Sequence, residues 1–215
     1  MAQFRPWLVC CCVLAGLLCV LTLVCVCVFS LLDQGSCASG SYGRAAVSAD
    51  SRLCSEIGKN MLLQGGSAVD GAIAALLCTS VVNPQSMGIG GGSIVTVRER
   101  NGKVKVFNFR ETVPQSYKRN LLDDCPTTFS FSTGSQWIGV PGELRGYELL
   151  HKLYGKLSWD KLFEPTVKLA RDGIPLPDYL AQFIKSPLVR HYVERSSLCD
   201  IFCNKNRTVL KKETL

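Results

Sequence analysis

Asn83-Pro-Gln-Ser-Met-Gly-Ile-Gly-Gly-Gly92 leads into Ser93-Ile-Val-Thr-Val-Arg-Glu-Arg100, and Val104-Lys-Val-Phe-Asn-Phe-Arg-Glu111 follows beyond Asn101-Gly102. Four of the loop's last five residues are glycine. A backbone without Cβ atoms can press against a neighbour or a ligand. The spacing predicts strands over Ser93–Arg100 and Val104–Arg110. Asn-Gly between them signals a hairpin, because both central positions of a two-residue turn need positive φ. Apolar residues alternate with charged ones in both strands, so one face is expected to be buried and the other wet. The second strand ends on Arg110, whose planar fork suits a carboxylate.

Other uses of the loop fit less well. A dinucleotide fingerprint needs a third glycine where Ser93 stands, and it runs from strand to helix, whereas this loop leaves a helical segment and enters a strand. No Gly-Lys-Ser/Thr follows, so a phosphate-binding P-loop is excluded. A plain turn between elements remains open on spacing alone.

Upstream, Ala45–Val47 reads as a short strand. Asp50 is placed to cap a helix running to about Gln64, which Gly65-Gly66 ends, and Ser67 caps an apolar helix over Ala68–Val82. Downstream, Gln115–Gly134 is polar and irregular. Gly142–Tyr154, Trp159–Asp172 and Asp178–Lys185 read as helices, separated by Gly155 and by Gly173-Ile-Pro175. Helices, a hairpin and more helices make a mixed α/β layer protein.

The chain has 215 residues, room for one domain and an anchor. No charged residue occurs from Trp7 to Leu32. That run is long enough to cross a bilayer, whereas a cleaved signal has an apolar region of only about 7–15 residues. Residues 1–6 then form a cytoplasmic tail, 7–32 a transmembrane signal anchor, 33–44 a Gly/Ser-rich stalk and 45–215 the body. Arg5 before the run and Asp33 after it favour a body outside the cytoplasm. The expected location is the plasma membrane, single-pass type II.

Six of the twelve cysteines (Cys10, Cys11, Cys12, Cys19, Cys25, Cys27) lie in the apolar run. The other six, Cys37, Cys54, Cys78, Cys125, Cys199 and Cys203, form an even set, which in an extracellular body reads as disulfides. An antiparallel helix pair brings Cys54 near Cys78, and Cys199 and Cys203 are spaced to staple one turn. No Cys-x-x-Cys pair exists, and neither His151 nor His191 has ligand-like spacing to a cysteine, so no metal site is expected. Asn206-Arg-Thr208 is a glycosylation sequon, usable in the lumen. The net charge of +7 is scattered rather than gathered into a stripe with aromatics, which argues against nucleic acid as a partner.

Three segments carry a resemblance: Asn83–Gly92, Asn108-Phe-Arg-Glu-Thr-Val-Pro114, and Gln136-Trp-Ile-Gly-Val-Pro-Gly-Glu-Leu-Arg-Gly-Tyr147. In this order they resemble the large subunit of γ-glutamyltransferases, from about Ala45 onward. The resemblance implies part of the N-terminal nucleophile hydrolase fold, an αββα sandwich, behind the single transmembrane helix. It implies action on glutathione, its S-conjugates and leukotriene C4, with no cofactor. It also implies a partner small subunit carrying the threonine nucleophile. No small-subunit motif occurs in these residues, so no catalytic residue is assigned. Arg110 carries over as the clamp on the glutamyl α-carboxylate, and Glu111 as a residue orienting Arg110 or a neighbouring element. The loop Met87–Gly92 is expected to pack on the catalytic strand of the other subunit. The resemblance supports the pairs Cys54–Cys78 and Cys199–Cys203, leaving Cys37 and Cys125 by subtraction. Against it stand two plainer readings: Arg110 as a strand-end arginine on a surface carboxylate, and the chain as a non-catalytic, truncated, membrane-anchored family product. His151, Trp137 and Tyr147 read as packing residues.

Overall fold

The computed structural model describes residues 16, 19–25, 41–116 and 138–210. Two units divide at Ala45 and Ala46. In the first, residues 19–25 are helical. Among the described residues no helix is long and apolar enough to cross a membrane. The expected anchor over residues 7–32 lies largely outside them, as do Cys37, Cys125 and Trp137.

The second unit opens with a helical pair, α1 (Arg52–Leu63) and α2 (Ala68–Val82). Ala45–Val47 forms no strand. No described strand pairs with that segment, and the nearby Ala49 amide donates to Ser55 Oγ at 2.9 Å. The N-cap of α1 is Ser51 rather than Asp50, and it makes no side-chain cap bond. The helix ends as Gly65-Gly66 implies. Gly65 takes φ of 90°, its amide donates to Leu62 O, and the Gly66 amide reaches back to Met61 O at 2.9 Å. These bonds form a Schellman motif, which needs a residue in the left-handed region and so favours glycine. Ser67 caps α2 in a reciprocal box with Asp70.

Small residues let α1 and α2 cross closely. A Cβ on Gly58 would lie 2.7 Å from Gly71 O, and one on Gly71 would lie 3.0 Å from Gly58 O. The Cys54–Cys78 disulfide ties the same pair, with Cα atoms 5.3 Å apart and both side chains fully buried. Around it Ile57, Met61, Ile73, Leu77 and Val82 form a core with Tyr147, Leu162 and Ile174. The last three come from α3 (Glu143–Tyr154), α4 (Trp159–Asp172) and the link that follows α4.

A smaller core gathers Leu180 and Ile184 of α5 (Asp178–Lys185), Val193 of α6 (Pro187–Arg195) and Phe202 of α7 (Cys199–Phe202). The sequence reading has no helix where α6 stands. Pro187 at its first turn starts it, a position where the missing amide costs nothing. Cys203, just past α7, is bonded to Cys199.

The hairpin is β1 (Ile94–Arg98) with β2 (Val104–Asn108), antiparallel, Thr96 facing Val106. Its turn differs from expectation. Only Gly102 takes positive φ, at 87°, and Asn101 does not. Gly102 N donates to Glu99 O and Glu99 N to Lys103 O, so the loop has three residues and closes on a glycine bulge. Asn101 instead uses its side chain to accept from Lys103 N at 2.9 Å.

The expected buried face is only half-covered, because the aromatic ring of Tyr154 packs edge-on to Phe107 over part of it. The other face is exposed, as expected, and carries Ile94 (63% exposed) and Val106 (65% exposed) beside Thr96, Arg98 and Asn108.

Candidate substrate-binding site

The end of β2 is held by main-chain contacts from three segments. Phe109 N donates to Ser93 O at 2.8 Å. A Cβ on Gly92 would stand 2.3 Å from Phe109 O and 2.8 Å from Arg110 Cα. A Cβ on Gly142, at the start of α3, would stand 2.2 Å from the same Phe109 oxygen. One turn later a Cβ on Gly146 would lie 2.2 Å from the Phe109 ring. Glycine is therefore required on both sides of the Phe109–Arg110 peptide, since any side chain would displace it. The loop also joins the helix directly: Gly91 O accepts from Gly142 N at 3.0 Å and Glu143 N at 3.1 Å, satisfying amides that α3 cannot pair internally.

Arg110 projects from this seat and is 59% exposed. Its Nη1 donates to Gly92 O at 3.1 Å, and its Nη2 lies 3.0 Å from Glu111 Oε2. Both terminal nitrogens are thus fixed in position, yet each keeps a second N–H and Nε carries another. A guanidinium held at two points and open to solvent can take a carboxylate with little further loss of side-chain freedom. Glu111 is 30% exposed and is itself closely lined: a Cβ on Gly91 would approach its Oε1 to 3.3 Å, and one on Gly139 its Cβ to 3.0 Å. Beyond it, Thr112 pairs with Val140 in an antiparallel bridge. The structure thus brings the glycine loop, Arg110 and Glu111 together. The plainer reading of Arg110 has a partner here too, in Glu111.

The glycines at 139, 142 and 146 belong to a segment quoted for its resemblance, but nothing local in it reveals that it seats Phe109. Tyr147 is fully buried in the main core. Burial, and then the neighbouring Glu143 carboxylate, push its hydroxyl pKa well up, so it stays neutral at any physiological pH. His151 is more than packing: its Nε2 lies 2.8 Å from Leu157 O and 3.8 Å from Asp70 Oδ1. Asn206 is exposed on a turn where Asn204 Oδ1 accepts from Asn206 N at 3.0 Å and from Thr208 Oγ1 at 2.8 Å.

Comparison with known proteins places these features in a family. Residues 54–215 match the Gamma-glutamyltranspeptidase family. The chain is 49% identical over 181 residues to the glutathione hydrolase 5 proenzyme of Mus musculus, covering 84% of this chain and 32% of that protein. It is 47% identical over 183 residues to the Homo sapiens glutathione hydrolase 5 proenzyme, covering 85% and 31%. Among solved structures, the Helicobacter pylori gamma-glutamyltranspeptidase aligns with a TM-score of 0.72 at 27% identity, over 81% of this chain and 51% of that one. The Bacillus anthracis transpeptidase CapD aligns with a TM-score of 0.65 at 30% identity, over 81% and 54%. The chain spans about a third of the length of these curated relatives.

Proposed function

The chain belongs to the gamma-glutamyltranspeptidase family, and on that premise we propose that it supplies the glutamyl-binding arginine of a γ-glutamyl hydrolase or transferase. The observation that carries this is the exposed Arg110 guanidinium, fixed at 3.1 Å to Gly92 O and 3.0 Å to Glu111 in its glycine seat. The substrates are glutathione, its S-conjugates and leukotriene C4. Arg110 takes the α-carboxylate of the glutamyl group, and Glu111 keeps the fork in register.

The nucleophile is a threonine of a small subunit outside these 215 residues. Its Oγ attacks the γ-carbonyl, the leaving amine departs with a proton, and water or an amino acid resolves the acyl-enzyme. In this reading the described elements are one portion of an αββα N-terminal nucleophile hydrolase sandwich. The body stands outside the cell behind a membrane anchor over residues 7–32, and the exposed Asn206 carries a glycan. The buried Cys54–Cys78 bridge is in keeping with an oxidising compartment.

Substitution in the full-length protein tests the clamp. Arg110→Lys keeps the charge but loses the fork, and is expected to weaken transition-state binding of glutathione by on the order of 2–5 kcal/mol. Analogues with a blocked α-carboxylate should be nearly indifferent. Unchanged kinetics on both substrates would return Arg110 to the surface as an ordinary partner of Glu111.

A further inference from the structure

The Arg110 main chain is turned by a side chain rather than by the sheet. In an antiparallel pair, successive amides of one strand point to opposite edges. Phe109 N faces β1 and is satisfied there by Ser93 O. Arg110 N therefore belongs to the edge that β1 does not serve. Asn108 Oδ1 accepts from it at 3.0 Å. An asparagine bonding the amide two residues on closes an Asx turn, which bends the chain as a backbone turn does. This bend takes Arg110 out of the ladder, which ends at the Ile94–Asn108 pair, and its guanidinium then lies over Gly92 O.

We infer that Asn108 is a positioning residue for substrate: its amide oxygen sets the direction in which Arg110 presents its fork to the glutamyl carboxylate. The inference rests on the reading of Arg110 as the carboxylate clamp. What the position requires is an oxygen acceptor on a short stem. Aspartate meets that requirement, whereas alanine and leucine do not. Asn108 is exposed, so its loss removes no core packing.

The test uses the full-length protein with glutathione and with an analogue blocked at the α-carboxylate, comparing wild type, Asn108→Ala, Asn108→Asp and Arg110→Lys. Asn108→Ala is expected to raise KM for glutathione about five- to tenfold, the loss of one net hydrogen bond, while kcat stays within about twofold. KM for the blocked analogue should not move. Asn108→Asp is expected to recover most of the KM. A purely structural defect would instead lower the active fraction on both substrates alike, and thermal unfolding of each variant separates that case. If Arg110→Lys raises KM but Asn108→Ala does not, or if Asp is as impaired as Ala, the inference about Asn108 is overturned and the clamp survives. If Arg110→Lys is itself silent, the clamp fails, and the role of Asn108 fails with it.

Discussion

Asp70 Oδ1 lies 3.8 Å from His151 Nε2, with the aspartate side chain wholly inaccessible to solvent. The other oxygen of the same carboxylate accepts from Ser67 N at 2.7 Å, Lys156 N at 2.9 Å and Leu157 N at 3.3 Å. One side chain thus caps α2 and fastens the α3–α4 link to it. Because the Leu157 carbonyl only accepts, His151 Nε2 must carry the proton in its 2.8 Å bond.

Asp70→Ala should therefore be among the most damaging single changes in the body. It strips the acceptor from three main-chain amides at a buried site, at about 1–3 kcal/mol for each donor that water does not reach. A loss on the order of 3–5 kcal/mol in denaturant unfolding is expected. A loss below about 1 kcal/mol would show that water replaces the carboxylate.

A second cluster ties the hairpin to α3 and gives stability a pH dependence. Lys105 Nζ is 2.6 Å from Glu99 Oε1, and Tyr154 Oη bonds both, at 3.1 Å and 3.2 Å. The Lys105 ammonium holds the Glu99 carboxyl below its ordinary 4.5, and Glu99 raises Lys105 above 10.5. A depressed acid stabilises the fold above its unfolded pKa, and the gain is lost as pH falls through the folded value. The lysine's contribution is present below its unfolded pKa and is lost as pH rises through its raised value. The contribution of this pair should be flat between these limits, and Glu99→Gln should remove the part of the acid-side decline that comes from it. An acid limb identical in the two proteins would show that solvent screens the cluster completely.

The seat of Phe109 should be intolerant of one methyl group. Gly146→Ala gains up to about 1 kcal/mol of helix propensity. It also drives a Cβ to 2.2 Å from the Phe109 ring, whose main chain Gly92 and Gly142 already confine. Overpacking should win, with a net loss of about 1–3 kcal/mol and weaker glutathione binding. Gly88→Ala is the control, since a Cβ there meets nothing within 4 Å. Equal unfolding midpoints for the two variants would contradict the close packing around Phe109.

Topology is open to a direct assay. Expressed in secretory cells, the protein should stay with membranes after carbonate extraction and shift on glycosidase treatment, and Asn206→Gln should reduce the shift by one glycan. Secretion of a soluble form lacking the apolar run would replace the anchor with a cleaved signal.

Much of the helical layout was legible because local chemistry punctuates it. Gly155 and Gly173-Ile-Pro175 bracket α4, and Ser67 announces α2. The misreadings have physical causes. Asn101-Gly102 announced a turn, but the side chain of Asn101 took the Lys103 amide and a three-residue loop formed instead. A period-two pattern predicted a buried strand face, yet burial depends on what packs against it, and the rings of Tyr154 and Phe109 beside Phe107 leave that face half-covered. At the candidate site, Arg110 and Glu111 were singled out through their neighbours in sequence. The contacts that aim them join Gly92, Phe109 and Gly142, positions too far apart along the chain for any local pattern to reveal.

Two consecutive carbonyls of the glycine loop have opposite duties. That of Gly91 receives the first amides of α3, and that of Gly92 receives the Arg110 guanidinium. They belong to adjacent rigid peptide planes that meet at the Gly92 Cα. The dihedrals of Gly92 are thus the hinge between the two duties: a turn at this one residue parts the arginine from its carbonyl while α3 stays seated on Gly91, and the crowding of Gly92 against Phe109 O and Arg110 Cα is what holds that hinge shut.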